Sequence, residues 1–390
     1  MENIKCFSGY CCGCAQCASV CPEQAIRMNP NEQGFLFPEI DDQKCVHCGL
    51  CVEQCAFNKR VTSLKPSNQI EAYAVKHKDD TVRYASRSGG VFSAITDEFL
   101  DNNGVVYGCK LVDLTKAVHG RATTKEERDQ FRGSKYIQSD ISGCFHSIQE
   151  DLKAGKPVLF SGTACQVDAV KTYCNHIDSS NLYLIDIVCY GVPSPRVWAD
   201  FLTYLSKGHK RIVKADFRDK MRFGWSSHVE SIEFADGSIY CGEVFKKLFS
   251  SRCILRESCF YCPYKNLDRV GDITIADCWG IAQNRPDFDD DKGVSLVIIN
   301  TEKGRRLFRK CESSLEYIQI EIEDYLQPCL KENWEKPKEY ESFWNYYKKH
   351  SFRSVIKKYT DNYSNTNYWY IPNCVSRILK LINRMIGDNR

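Results

Sequence analysis

The 390-residue chain lacks any apolar run long enough to cross a membrane, so a spanning helix is excluded. It shows no secretory leader, which points to a reducing cytoplasm. It has no Gly-x-x-x-x-Gly-Lys-Ser/Thr loop, no Gly-x-Gly-x-x-Gly, no His-Glu-x-x-His and no Gly-x-Ser-x-Gly. Phosphoanhydride hydrolysis, kinase chemistry, zinc proteolysis and serine hydrolysis therefore lack a motif to carry them. The net charge of +3 is too small to suggest a nucleic-acid partner.

Cysteine, by contrast, is abundant, with 23 residues. Cys11, Cys14, Cys17 and Cys21, followed by Pro22, have the spacing C-x2-C-x2-C-x3-C-P, and the spacing recurs at Cys45, Cys48, Cys51 and Cys55. Doubled runs of this kind hold two 4Fe–4S clusters, and the fourth cysteine of each run reaches the other cluster. One cluster is thus expected on Cys11, Cys14, Cys17 and Cys55. The other is expected on Cys45, Cys48, Cys51 and Cys21. Gly13 and Gly49 let the backbone curl close to the inorganic cores. Ala56 replaces the second proline without removing a ligand. Structural zinc usually pairs two cysteines with two distant ligands, and a disulfide framework suits small exported scaffolds; four thiols in each run fit neither. Cys6 and Cys12 lie off the pattern and have no assigned role.

Residues 1–60 read as an α+β ferredoxin-like cluster module, with short strands at 25–28 and 35–37 as a cover. Residues 61–70 read as a linker. From 71 onward strand and helix patterns alternate. Strands are expected at 72–75, 105–109, 157–160 and 182–188, and a helix follows Ser88-Gly89-Gly90. The near-continuous apolar runs suit a sheet covered on both faces, so the body is expected to be α/β with a mixed sheet. Asp236-Gly237 signals a hairpin between 229–234 and 238–240. Strands are also expected at 273–276 and 294–299, and 301–350 reads as helical and polar. Residues 346–390 form a basic tail: from Lys348 to Arg390 nine Lys/Arg face only Asp361 and Asp388. Its end places Val375, Ile378, Leu379, Ile382, Met385 and Ile386 on one helical face and Arg377, Lys380 and Arg384 on the other. Such a helix either contacts an anionic membrane surface or packs on its own domain.

Three further segments carry chemistry. Ser86-Arg87-Ser88-Gly89-Gly90 opens a helix whose exposed N–H groups suit phosphate, or form an ordinary cap. Ser161-Gly162-Thr163-Ala164-Cys165-Gln166 ends a buried strand and opens a helix, where α/β sheets bind cofactors; Thr163 and Gln166 could bond a polar ring edge. Cys253, Cys259 and Cys262-Pro263 suggest a third cluster. Its fourth ligand is either Cys189, at the end of the 182–188 strand, or Cys278. Asp219, Lys220, Arg222 and His228 lie around Phe223-Gly224-Trp225 as a polar loop, either substrate-binding or merely solvated.

The cysteine runs, Ser88-Gly89-Gly90-Val91-Phe92, Gly133-Ser134-Lys135-Tyr136, Ser161-Gly162-Thr163-x-Cys165-Gln166, Cys189-x-Gly191-Val192-Pro193-Ser194 and Gly271-Asp272-Ile273-Thr274-Ile275-x-Asp277-x-Trp279-Gly280 occur in this order. Over residues 5–300 the chain resembles the coenzyme F-420 hydrogenase/dehydrogenase beta-subunit family. The resemblance implies an α/β flavin-binding body at 71–175 and 176–345, the second part carrying the third cluster. It implies FAD lined by Ser88, Gly89, Gly90, Thr163 and Gln166, with Lys135 and Tyr136 nearby. It implies a flavin-side 4Fe–4S cluster on Cys189, Cys253, Cys259 and Cys262. Tyr190 stands where the family has His.

The expected function is therefore an iron–sulfur flavoprotein oxidoreductase. Electrons would pass between the ferredoxin-type clusters and FAD, then to a small organic substrate or a deazaflavin-like acceptor. No catalytic acid or base stands out. The alternative is an electron-transfer subunit with no substrate of its own, serving a partner enzyme. The expected partner is ferredoxin or a redox subunit. The expected location is the cytoplasm, with the tail as a contact to the inner membrane face.

Overall fold

The structure, a computed structural model, describes residues 10–60, 70–206 and 211–360. In the N-terminal module, β1 (Ile26–Pro30) and β2 (Leu36–Ile40) pair antiparallel. Ile26 and Ile40 turn inward with Cys17 and Cys51 to form a small core of their own. The hairpin lies where the alternating pattern and its Asn31/Gly34 turn put it.

The body is built on a nine-stranded mixed sheet. Its strands are β3 (Glu71–His77), β4 (Val105–Val112), β5 (Lys116–Ala122), β6 (Ser139–Asp140), β7 (Val158–Thr163) and β8 (Leu182–Ile187). A separate three-stranded sheet follows, from β9 (Ile212–Asp216), β10 (Glu230–Phe234) and β11 (Ile239–Gly242). The large sheet then resumes with β12 (Ile273–Asp277), β13 (Ser295–Ile299) and β14 (Leu315–Ile320). Its order is β14-β3-β13-β12-β8-β7-β4-β5-β6. β4, β7, β8 and β12 run parallel to one another, while β5, β13, β3 and β14 join antiparallel. Every residue of β13 is buried, as its unbroken apolar sequence requires of a strand covered on both faces.

Strands from the two expected body segments interleave, since β3 lies between β13 and β14. A boundary at 175/176 therefore cuts through one sheet. Four strands were not expected: β5, the two-residue β6, β9, and β14 within the supposedly helical 301–350. The small sheet packs with the helices Pro195–Leu205, Val244–Ser250, Tyr340–Lys349 and Phe352–Tyr359. Between them lies an aromatic core around Trp198, Phe201, Phe245 and Phe343, all fully buried.

The module docks on the body through polar groups as well as apolar ones. Arg256, 1% exposed, donates from Nε to the Cys11 carbonyl at 2.7 Å and from a terminal nitrogen to the Leu36 carbonyl at 2.9 Å. Its guanidinium sits 4.0 Å from the Phe37 ring centroid. Gln138 accepts from the Leu36 N–H at 2.8 Å, and Arg60 reaches Asp268 at 3.0 Å. Gly13 is obligatory at this seam: a Cβ there would lie 2.3 Å from the Gln138 amide nitrogen and 2.8 Å from the Leu36 carbonyl oxygen. Among the described residues no helix is long and apolar enough to cross a membrane. The expected amphipathic helix of the tail falls outside the described residues.

Candidate cluster and cofactor site

Cys21, Cys45, Cys48 and Cys51 line one cavity of the N-terminal module, closed by Ile26, Ile40 and Gly49. Cys48 is exposed. In the other set the charges of Cys11, Cys14 and Cys55 all act on Cys17, which burial pushes well up. The chain thus brings together thiols from opposite runs. Positive φ at Gly13 (73°) and Gly49 (81°) turns each loop inward.

A second thiol cavity lies between module and body. Cys165, Cys189, Cys259 and Cys262 line it, with Cys12 at its edge. The charges of Cys259, Cys165 and Cys262 all raise Cys189, after burial itself; burial pushes Cys262 up to about 12. The fold explains the convergence. Cys189 follows the C-terminal end of β8, and Cys165 sits in the first turn of the helix after β7. Cys259 and Cys262 come from the short helical turn Glu257–Tyr261 and the residue after it. A buried ion pair fixes the floor: Arg269 meets Asp186 at 2.5 Å, and Asp186 also accepts from the Gly271 N–H at 2.8 Å. Lys265 and Ser258 line this cavity, and among the described residues Lys265 Nζ and Ser258 Oγ have no hydrogen-bond partner. Among the described residues no three His, Cys, Asp or Glu side chains meet tightly enough for a single metal ion. Around this cavity the sulfurs surround a space instead, as a cubane binding each thiolate through a different iron requires. Converging thiols and orphaned donors fit such a cluster.

Cys253 is not part of this cavity. It is 3% exposed within the aromatic core around Trp198. The chain reverses at Arg252, with φ of 63°, and the Arg256 N–H bonds the Val192 carbonyl. That turn carries Cys253 away from Cys259. Cys278 is likewise buried elsewhere, among apolar residues beneath β13. Cys165, absent from the expected ligand set, lines the cavity with Cys12, Cys189, Cys259 and Cys262. Its signal was present: a cysteine beginning a helix at the end of a buried parallel strand.

A cleft of about 920 Å³ opens at the same strand ends, within the roughly 300–1,000 Å³ usual for cofactor sites. Ser88, Gly90, Lys135, Tyr136, Thr163 and Gln166 all line it. The helix Val91–Asp101 starts at its wall with Gly90 at φ 91° and no side-chain cap, leaving first-turn N–H groups for an anion. The loop before it is held by the Lys220 ammonium, which donates to the carbonyls of Ser88 at 3.1 Å and Lys292 at 2.8 Å. Arg87, Arg132 and Arg218 line the cleft together with Asp277, which pairs with Arg218 at 3.0 Å. Trp279, 36% exposed, stacks on Trp225 at 4.9 Å and 7° and carries the Arg218 guanidinium at 4.8 Å. His228 also faces the cleft, and burial followed by the Arg218 charge drives it down to about 3. Burial lowers Lys135 to about 8.

Some expected roles are filled differently. Gly89 does not line the cleft; its N–H bonds Ser295 Oγ at 3.0 Å, and a Cβ would meet the Val75 carbonyl at 2.1 Å. Thr163 and Gln166 face the cleft, but Thr163 donates to Gln166 Oε1 and the Gln166 amide nitrogen donates to the Ser139 carbonyl at 3.1 Å. Asp219, Lys220 and Arg222 are tied into caps and ion pairs. Of that loop only His228 reaches the cleft.

Residues 155–324 match the family model for the C terminus of the coenzyme F420 hydrogenase/dehydrogenase beta subunit, and residues 10–59 match the 4Fe-4S dicluster domain. An uncharacterized polyferredoxin-like protein of Methanocaldococcus jannaschii is 35% identical over 75 residues, covering 16% of this chain and 44% of that protein. The chain thus spans less than half the length of that relative. A solved structure of the F420-reducing [NiFe] hydrogenase complex from Methanosarcina barkeri aligns with a TM-score of 0.46 and 16% identity, covering 66% of this chain and 85% of that one. The chain thus matches a 4Fe-4S dicluster domain over residues 10–59 and, over residues 155–324, the C-terminal domain of the coenzyme F420 hydrogenase/dehydrogenase beta subunit.

Proposed function

We propose that the chain is an iron–sulfur flavoprotein oxidoreductase that carries electrons from a protein donor to a small organic substrate. The observation that carries this reading is a shared wall. Cys12, Thr163, Cys165 and Cys189 line both the thiol cavity and the cleft. A cluster in the one would therefore sit against a cofactor in the other.

The route follows from placement. A cluster held by Cys21, Cys45, Cys48 and Cys51 would accept electrons from a docking ferredoxin or redox subunit, since Cys48 and Val46 are exposed there. One held by Cys11, Cys14, Cys17 and Cys55 would lie next in the series. The Cys12 thiol then stands within hydrogen-bond reach of both Cys14 and Cys165, and so spans the gap to the third set of Cys165, Cys189, Cys259 and Cys262. That bond from Cys12 is the first cause holding Cys165 down at about 7.

Within the cleft, the uncapped helix start at Gly90 and the side chains of Arg87 and Lys135 would hold the anionic part of FAD. Bound there, FAD would supply the exchange between single electrons and a two-electron transfer. Trp279 offers an aromatic wall against which a planar substrate could lie, its ring held by Trp225 and the Arg218 guanidinium. His228 stays neutral at physiological pH and can position a substrate by hydrogen bonding without adding charge.

Metal and flavin analysis of anaerobically prepared protein tests the arrangement. The wild type should carry about twelve irons, four for each cubane, and one FAD. C165S should fall to about eight irons and C253S should keep about twelve. Undiminished iron in C165S would overturn the third ligand set, and protein without flavin would overturn the reductase.

A further inference from the structure

Three cations line the thiol cavity: Arg256, Arg269 and Lys265. Arg256 is committed to carbonyls of the N-terminal module, and Arg269 to Asp186 and to the Tyr264 carbonyl at 2.6 Å. Lys265 differs. It is 6% exposed, and among the described residues its ammonium has no hydrogen-bond acceptor. Burying an unpaired ammonium is costly unless something with negative charge meets it. The Trp334 ring 5.5 Å away offers only a partial substitute, since cation–π contacts recover part of the lost hydration. Ser258 Oγ, 2% exposed and equally without a partner, lines the same cavity. Two orphaned donors, one of them charged, thus border the space that four thiols enclose.

We propose that Lys265 is a positioning residue for electron flow. Its charge faces the sulfurs of the third cluster, raises that cluster's reduction potential above that of its neighbour, and so draws electrons from the ferredoxin-type pair towards the cleft. This rests on the third-cluster reading given above. The physical cause is charge balance. One electron leaves the set on Cys11, Cys14, Cys17 and Cys55, and the same electron enters the third set, adding one negative charge there. A cation in a low-dielectric cavity stabilises the reduced form more than the oxidised one, and donors to cluster sulfur act in the same direction. Ser258 supports the effect with a neutral hydrogen bond.

Redox titration followed by electron paramagnetic resonance, on full-length protein reconstituted under anaerobic conditions, reads this directly. In K265M the equilibrium constant for reducing the third cluster should fall at least tenfold, a shift of about 59 mV for a one-electron couple. The two N-terminal clusters should keep their potentials. K265R should restore the wild-type value, which a role in packing alone would not require. Should K265M lose the third cluster, K265Q against K265R makes the same comparison, with the lower potential expected in K265Q. An unchanged potential in a neutral variant that still carries about twelve irons overturns the role of Lys265 alone. About eight irons in the wild type would instead remove the cluster on which the proposal rests.

Discussion

At the scale of single residues, burial decides which side chains carry charge. Glu230 is 1% exposed, and one carboxylate oxygen accepts the Phe245 N–H at 2.9 Å. Desolvation raises its pKa to about 8 from an ordinary 4.5. Between those values the folded state binds the proton and the unfolded state does not. Stability is therefore full below pH 4.5 and declines as pH rises to 8, by up to about 1.4 kcal/mol per pH unit. E230Q keeps the acceptor and removes the titration. Its stability relative to wild type should improve steadily in urea melts from pH 5 to pH 8, and a pH-independent difference would contradict the assignment. The residues of the site were unevenly legible. The eight N-terminal ligand positions could be written down from spacing, because three short intervals force thiols onto one small volume. Cys165 could not, since its partners lie far away in sequence and only the sheet brings them together. Cys253 shares a short segment with Cys259 but is buried in the aromatic core around Trp198, a placement that spacing alone does not show.

At the scale of elements, the parallel strands do the positioning. β7, β8 and β12 end together, and the groups that matter follow their last residues: Thr163 and Cys165, Cys189, and Asp277 with Trp279. The Asp186–Arg269 pair ties the end of β8 to the segment that carries Cys262. Both side chains are almost wholly buried. Replacing one partner leaves the other charge buried alone, so D186N should destabilise the fold by about 3–5 kcal/mol. Urea denaturation checks this, and a loss below about 1 kcal/mol would show that the pair does not brace the site. Apolar runs announced β7, β8, β12 and β13, because strands covered on both faces need continuous hydrophobic sequence. β5 and β14 escaped notice for the converse reason. Half of β14 is exposed, with buried apolar residues only at its two ends, and β5 mixes Lys116, His119 and Arg121 among small residues. Both are antiparallel additions towards the edges of the sheet, held by pairing more than by their own hydrophobicity.

At the scale of the whole molecule, the N-terminal module is docked on the body by Arg256, Gln138 and Arg60. Arg256 pins the first cysteine loop by its backbone, and the same side chain borders the second thiol cavity. The order of the domains was legible in the sequence. Their docking was not, since it depends on Gly13 meeting Gln138 and on Arg256 meeting Cys11, contacts across more than a hundred residues. The central claim is that three clusters and one two-electron acceptor lie in series in a single chain. Stoichiometric reduction of the anaerobic protein with a titrated low-potential reductant measures it most directly. Uptake should saturate at about five electrons per chain, one for each cluster and two for the flavin, with the flavin bleaching alongside the cluster absorbance. Saturation at about two electrons, with no flavin change, would leave only the N-terminal pair and contradict the series.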